Sequence, residues 1–179
     1  MNLVRELMSN ADNTEEAKKI AEMDSCVQEI HDIVQNVLIS FRLTDGRQTL
    51  WLEPVLVQEE LQRTMRDIQI RAEEKNQTLT CVIEDPVPPV LADRTSVRGI
   101  LRNLIDNAVK FTPPGGTVTI RVTGGPDVRI SVCDTGPGIP EEDRSRLFQR
   151  FERLSTRPTG GESSTGLGLH VSNELALLN

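Results

Sequence analysis

The chain has 179 residues, with 27 acidic against 20 basic side chains and a formal net charge of −7. That length suits one domain, or one domain with a smaller appendage, and 37% hydrophobic residues suffice for a core. Four Phe, one Trp and no Tyr argue against a base-stacking nucleic-acid platform, and the acidic balance argues against non-specific duplex binding. No apolar run is long enough to cross a bilayer, and Arg5 and Glu6 near the start argue against a signal peptide. Cys26, Cys81 and Cys133 are odd in number and lack CxxC spacing, which speaks against a disulfide framework or a zinc site. A reduced, cytoplasmic segment is expected, without nucleic-acid or membrane contact, whatever anchors the full-length protein.

The front of the chain reads as helix with one interruption. Residues 1–8 are apolar-rich, residues 9–13 form a polar break, and Thr14 is expected to cap a second helix. Glu15 and Glu16 in its first turn suit the helix dipole. Along it Ile20, Met23, Val27, Ile30, Val34, Val37 and Phe41 are spaced alternately three and four, a heptad seam narrower than the stripe of a globular surface helix. Such a seam calls for helical partners, in an antiparallel hairpin or a dimeric four-helix bundle; the alternative is a helix lying on its own domain. Thr44-Asp45-Gly46 signals the helix end, followed by an extended piece at 50–52. Pro54 then precedes an amphipathic helix with Val57, Leu61, Met65, Ile68 and Ala72 on one face. The boundary between appendage and globular domain is placed around residues 45–54.

From Gln77 the pattern changes. Residues 79–83 read as a strand, Pro86, Pro88 and Pro89 as a stiff connection, and Asp93 as the cap of a helix reaching Phe111. Residues 117–123 and 127–133 are β-rich runs joined by Gly124-Gly125-Pro126, a hairpin signal. The expected fold class is α+β, a two-layer sandwich, because the elements do not alternate strictly as in a doubly wound sheet. No Walker-type phosphate loop is present.

Three clusters carry chemistry. On the helix after Asp93, the residues Val97, Leu101, Leu104, Ile105 and Ala108 form the apolar face, and Asn103, Asn107 and Lys110 form a stripe beside it. Two amides and an ammonium at this spacing can hold a hydrated metal and a phosphate chain, although taken alone the stripe also reads as a solvated face. Asp134-Thr135-Gly136-Pro137-Gly138-Ile139 follows directly after a strand, placing a carboxylate and two glycines where a flat ligand can approach. The carboxylate can accept from an exocyclic amine; a capped Gly-Pro turn would look the same. Residues 159–169, rich in Gly, Ser and Thr, lead into a helix whose N-terminus can receive phosphate, or form a plain linker.

Together these segments resemble the sensor histidine kinases of two-component phosphorelay systems. Residues 103–112, Asn-Leu-Ile-Asp-Asn-Ala-Val-Lys-Phe-Thr, are similar to the family's asparagine box, and residues 134–139 to its first glycine box. Leu147-Phe148-Gln149-Arg150-Phe151-Glu152-Arg153 resembles the phenylalanine box, and Gly166-Leu167-Gly168-Leu169 the second glycine box. The four occur in the family order, and residues 41–47 with 52–55 resemble the link from the second dimerisation helix. The resemblance implies a Bergerat-type ATP-binding fold, with residues 1–45 as a partial dimerisation hairpin and 46–179 as the catalytic domain.

It further implies a set of roles. Asp134 would bind the adenine amino group, Asn107 would ligate Mg²⁺, Asn103 would support the metal shell, and Lys110 would contact phosphate. Gly136, Gly138, Gly166 and Gly168 would make room for the nucleotide, lined by Ile139, Phe148, Thr165 and Leu167, with residues 154–165 as a mobile lid. The chaperone, topoisomerase and mismatch-repair ATPases of the superfamily carry a Glu where this chain has Asn103. Asn cannot act as a base, which points to phosphoryl transfer onto a nucleophile needing no activation here. The implied partners are ATP, a response-regulator receiver domain that takes the phosphoryl group on Asp, and a second copy of the chain through the seam.

The resemblance is incomplete at both ends. The family's acceptor His sits on the first dimerisation helix, and residues 1–9 contain none. His31, followed by Asp32, is the one acceptor candidate upstream of the catalytic domain. Only about fourteen residues separate it from Gly46, too few for a return helix, so His31 is read as flanking the seam. His170 is expected on a packing helix. The dense arginines Arg144, Arg146, Arg150, Arg153 and Arg157 would neutralise triphosphate, grip the bundle or simply be solvated. The family continues past the second glycine box into further strands, so the domain reads as short at its end, with an unpaired sheet edge. An alternative function is a regulatory ATP-binding module that dimerises with complete kinases and transfers nothing.

Overall fold

A computed structural model describes residues 14–44, 49–84, 86–160, 162 and 165–179. The stretch 1–8, expected as a short helix, lies outside them. The first element, α1 (Thr14–Thr44), is one unbroken helix of 31 residues. It ends where the Thr44-Asp45-Gly46 signal places its stop. His31 lies inside it, and the next described element is a strand, so among the described residues no helix returns along α1 after His31.

After α1 come β1 (Leu52–Val55), α2 (Val57–Glu74), β2 (Thr78–Glu84) and β3 (Val90–Asp93). Then follow α3 (Arg94–Phe111), β4 (Thr117–Thr123), β5 (Arg129–Asp134), the single turn α4 (Glu141–Arg144) and α5 (Gly168–Leu178). Pro54 precedes α2, as expected. It sits inside β1, and helix begins three residues later, at Val57. The strand β3 has no counterpart in the sequence reading.

β4 is the centre of a three-stranded mixed sheet, parallel to β2 and antiparallel to β5. Its residues alternate as a one-sided sheet requires: Val118, Ile120 and Val122 are fully buried while Thr117, Thr119, Arg121 and Thr123 turn outward. The buried face meets α2 through Val57, Leu61, Ile68 and Ala72, and α3 through Leu101, Ile105, Ala108 and Val109. Two helices over one face of a mixed sheet make the α+β sandwich. β1 and β3 form a separate antiparallel pair.

Two carboxylates tie the layers together. Asp93 accepts from the Ser96 N–H at 2.7 Å, capping α3, and from the Trp51 N–H at 2.9 Å, fixing the start of β1. Burial pushes the Asp93 carboxyl up, but the Trp51 and Ser96 hydrogen bonds outweigh it and hold the group below its ordinary range. Glu60 on α2 has no exposed surface and sits between Arg94 at 3.0 Å and Arg98 at 2.7 Å, both on α3.

The C-terminal half of α1 touches α5. Ser40 is buried there, while Ile33, Asn36 and Leu43 are half-buried and lie about 100° around the helix from the heptad seam. Met23, Val27, Ile30, Val34 and Phe41 of the seam stay between 47% and 68% exposed while Ile20 and Val37 are half-buried, so most of the seam is turned away from the domain.

Candidate functional site

The site forms where α3, the loop after β5, the segment after α4 and the start of α5 converge. α3 follows from sequence directly: Asp93 caps it, its apolar face packs on β4, and its other side is left for the amide stripe. On that stripe Asn103 Nδ2 donates to Ser172 Oγ of α5 at 2.8 Å. A β-carbon on Gly168 would overlap Asn103 Oδ1, so a larger residue there would push this amide aside. The Asn107 amide has no side-chain hydrogen bond among the described residues. Lys110 is paired with Asp106 one turn earlier at 3.0 Å, and Asp106 also receives Arg71 of α2 at 2.5 Å.

Asp134 is the last residue of β5, opposite Val118. Its Oδ1 accepts the Gly136 N–H at 2.8 Å, and Oδ2 has no partner among the described residues. The Thr117 N–H donates to Thr135 Oγ1 at 2.9 Å and the Thr135 N–H to Thr117 O at 3.1 Å, which locks the strand ends that aim Asp134. A β-carbon on Gly136 would lie 2.9 Å from Phe111 O, so this turn presses on the end of α3. Gly138 has a φ of +73°, and Ile139 beside it is 42% exposed.

The segment after α4 carries Phe148 and Phe151, which are 52% and 67% exposed. Phe151 has a φ of +60°, a conformation costly for a bulky residue. Asp143 staples the segment, its Oδ2 accepting from the Ser155 N–H at 2.9 Å and the Ser155 hydroxyl at 2.6 Å. These bonds, with the charge of Arg146, hold the Asp143 carboxyl below its ordinary range. Arg146 also pairs with Glu152, and Arg144 with Glu141 at 2.7 Å.

The region expected as a lid runs across the end of α3. The Thr159 N–H donates to Lys110 O at 3.0 Å and the Thr159 hydroxyl to Thr112 O at 2.7 Å. Lys75 donates to Val109 O at 2.8 Å and Lys110 O at 3.0 Å while pairing with Glu162 at 3.1 Å. Gly161, Ser163 and Ser164 lie outside the described residues. Thr165 Oγ1 accepts the Leu167 N–H at 3.3 Å, and Leu167 is buried beneath the first turn of α5. Gly166 has a φ of +67°, and a β-carbon there would overlap Glu152 O. The second glycine turn and the phenylalanine segment are therefore in contact.

Of the expected site residues, Asn103 meets Gly168 and the Gly136 turn meets the end of α3, while Asn107 and Lys110 follow Asn103 along α3 and His31 belongs to α1. His170 does sit on a packing helix, and it hydrogen-bonds both Arg150 and the Phe148 carbonyl. Sequence reading missed Ser172, Asp143 and Lys75. Each acts through a partner remote in sequence, and none lies on a periodic or glycine-rich pattern.

The chemistry on offer is an acceptor carboxylate after β5, an amide and ammonium row on α3, and the start of α5. That set complements a ligand with an exocyclic amine and an anionic chain. The side chain nearest the α5 start, Asn103, cannot take a proton.

Residues 92–179 match the histidine kinase-, DNA gyrase B-, and HSP90-like ATPase family. The adaptive-response sensory kinase SasA of Gloeothece citriformis is 36% identical over 149 residues, covering 82% of this chain and 36% of that protein. The chain therefore spans little more than a third of the length of this curated relative. Among solved structures, full-length ShkA in complex with AMPPNP has 30% identity and a TM-score of 0.73 over 98% of this chain and 36% of its own. The mycobacterial sensor histidine kinase MprB has 28% identity and a TM-score of 0.62 over 70% of this chain and 80% of its own. Residues 92–179 are a histidine kinase-, DNA gyrase B- and HSP90-like ATPase domain, and the proteins that the chain resembles along most of its length are sensor histidine kinases.

Proposed function

We propose that this chain binds ATP and serves as the catalytic region of a sensor histidine kinase, passing the γ-phosphoryl group to a histidine outside residues 1–179. The observation that carries the reading is the contact of Asn103 with Gly168, which brings the asparagine helix against the second glycine turn. Asp134 Oδ2 would accept from the adenine amino group, and the start of α5 would face the phosphates. Asn103 stands where a base would be needed to activate water, so the chemistry is transfer to a nucleophile presented by another segment.

Mg²⁺ fits the donors present. Among the described residues no cluster of three His, Cys, Asp or Glu side chains could hold an ion, but Asn107 offers a hard amide oxygen with no other partner. Mg²⁺ commonly keeps several waters and relies on substrate phosphates for the rest. Asn107 would hold it, with Asn103 supporting its shell, and when bound it would neutralise charge on the transferring group. Lys110 would reach phosphate by sharing its pairing with Asp106.

Residues 1–45 would be a dimerisation arm joining two copies through the seam, and 46–179 the catalytic domain. A response-regulator receiver domain would take the phosphoryl group onward, in the cytoplasm. Nucleotide titration with Asp134→Asn tests the core of this reading. The amide keeps the shape but can present a donor where an acceptor is needed, so ATP affinity is expected to fall about tenfold or more. Equal affinity for ATP in the variant would remove the adenine role of Asp134.

A further inference from the structure

His170, buried in the fold, is bonded to the exposed Arg150 in a contact that no step above uses. His170 lies in the first turn of α5 and is 9% exposed. Its Nδ1 is 2.9 Å from the Phe148 carbonyl oxygen, and its Nε2 is 2.8 Å from Arg150 Nε. A carbonyl only accepts and a guanidinium only donates, so both contacts are satisfied by one state alone: neutral imidazole with the proton on Nδ1 and the lone pair on Nε2. The two partners frame Gln149 in the phenylalanine segment, so one ring on α5 grips both sides of that segment.

The grip lies next to strain. One residue after Arg150, Phe151 holds a φ of +60°, and a β-carbon on Gly166 would come within 2.7 Å of the Phe151 carbonyl carbon. Two exposed aromatic rings and a left-handed Phe do not hold themselves in place; surrounding contacts must over-determine them. Asp143 anchors the segment from one side through Ser155, and His170 anchors it from the α5 side.

We infer that His170 is a positioning residue for nucleotide binding: its imidazole, in the Nδ1–H tautomer, fixes Arg150 and the Phe148 carbonyl so that the phenylalanine segment stands against the second glycine turn. The inference rests on the nucleotide reading above and assigns His170 no contact with the ligand and no proton transfer.

Two measurements on the intact chain test it. The chain has only two histidines, so nitrogen-15 spectra of the imidazoles assign His170 by comparison with a His170 variant. The expected signature is the Nδ1–H tautomer, with Arg150→Met moving the Nε2 resonance while the chain stays folded. The Nε2–H tautomer in the wild-type chain would overturn the inference. AMPPNP titration then compares His170→Leu with His170→Gln, whose amide oxygen can still accept from Arg150. The expected result is about tenfold weaker binding in His170→Leu and recovery to within about threefold in His170→Gln, the scale of one hydrogen bond. Equal losses in the two variants, or none in either, would overturn it. Should His170→Leu not fold, Arg150→Met takes its place, with about tenfold weaker binding expected and unchanged affinity counting against the inference. A wild-type chain that does not bind AMPPNP at all would instead defeat the nucleotide reading, and this inference with it.

Discussion

Asn103 and Gly168 are in close contact: the asparagine side-chain oxygen lies 2.1 Å from where a β-carbon of residue 168 would be. The contact joins α3 to the first residue of α5, and Asn103 to Ser172 one turn further on. Gly168→Ala ought to favour a helix by roughly 1 kcal/mol on propensity alone. Here the methyl group would displace the Asn103 amide and break its bond to Ser172. The expected outcome is a loss of about 1–3 kcal/mol in urea unfolding and at least about tenfold in AMPPNP affinity. The sign decides the matter: a variant as stable as the wild type, binding as tightly, would mean the contact does not organise the site.

Glu60 makes stability sensitive to acid. Burial raises its carboxyl pKa, but the hydrogen bonds from Arg98 and Arg94, with the charges of Arg98 and Arg63, outweigh burial and leave the group below its ordinary range. For a carboxylate lowered on folding, the unfolded chain takes up the proton first. The stability it contributes is therefore complete above about pH 4.5, the unfolded range, and is lost as pH falls through the lower folded value. Asp93 and Asp143 are lowered too and act in the same direction. Urea midpoints are expected to hold from pH 7 to about pH 5 and to fall steeply below about pH 4. Glu60→Gln leaves Arg98 without its anion and Arg94 with Glu53 alone, so it should cost about 2 kcal/mol at pH 7 and flatten the acid limb. An unchanged acid limb in that variant would show that Glu60 is not its source.

The parts of this structure legible in the sequence are those governed by neighbours along the chain. α3 was readable because Asp93 caps it, its apolar residues repeat at helical spacing, and a Pro-Pro-Gly-Gly turn follows its end. β3 was not. It is four residues long, follows three prolines, and sends Leu91 outward at 66% exposure, so no alternation marks it. The glycines and asparagines around the site were readable because steric room and metal-compatible amides belong to specific residue types. Ser172 and Glu162 were not, because a serine or glutamate gains meaning only from partners 69 and 87 positions away, Asn103 and Lys75.

The pairing of Glu162 with Lys75 gives the segment 154–165 a second hold beside Thr159. The two side chains are 29% and 13% exposed, so the ion pair contributes little to global stability. Glu162→Gln should shift the unfolding midpoint by less than about 1 kcal/mol while speeding proteolytic cleavage within 154–165. Lys75→Met loses more, because Lys75 also donates to the carbonyls of Val109 and Lys110 at the end of α3. A cost of about 1–2 kcal/mol is expected for it. Cleavage at the wild-type rate in Glu162→Gln would show that Thr159 alone holds the segment.

The seam on α1 predicts self-association through a surface the domain does not use. Val27 is 59% exposed, Ile30 56% and Val34 47%, all on one side of a 31-residue helix whose domain-facing side lies elsewhere. Apolar side chains repeating every 3.5 residues lose this exposure only against another helix of like pattern. Light scattering should give twice the chain mass at tens of micromolar, with dissociation on dilution. Ile30→Glu combined with Val34→Glu places like charges one turn apart on the seam and should yield a monomer. Because neither residue touches the nucleotide surface, AMPPNP affinity per chain should stay within about twofold of the wild type. A monomeric wild-type chain, or a dimer that survives the double substitution, would rule out the seam as the contact.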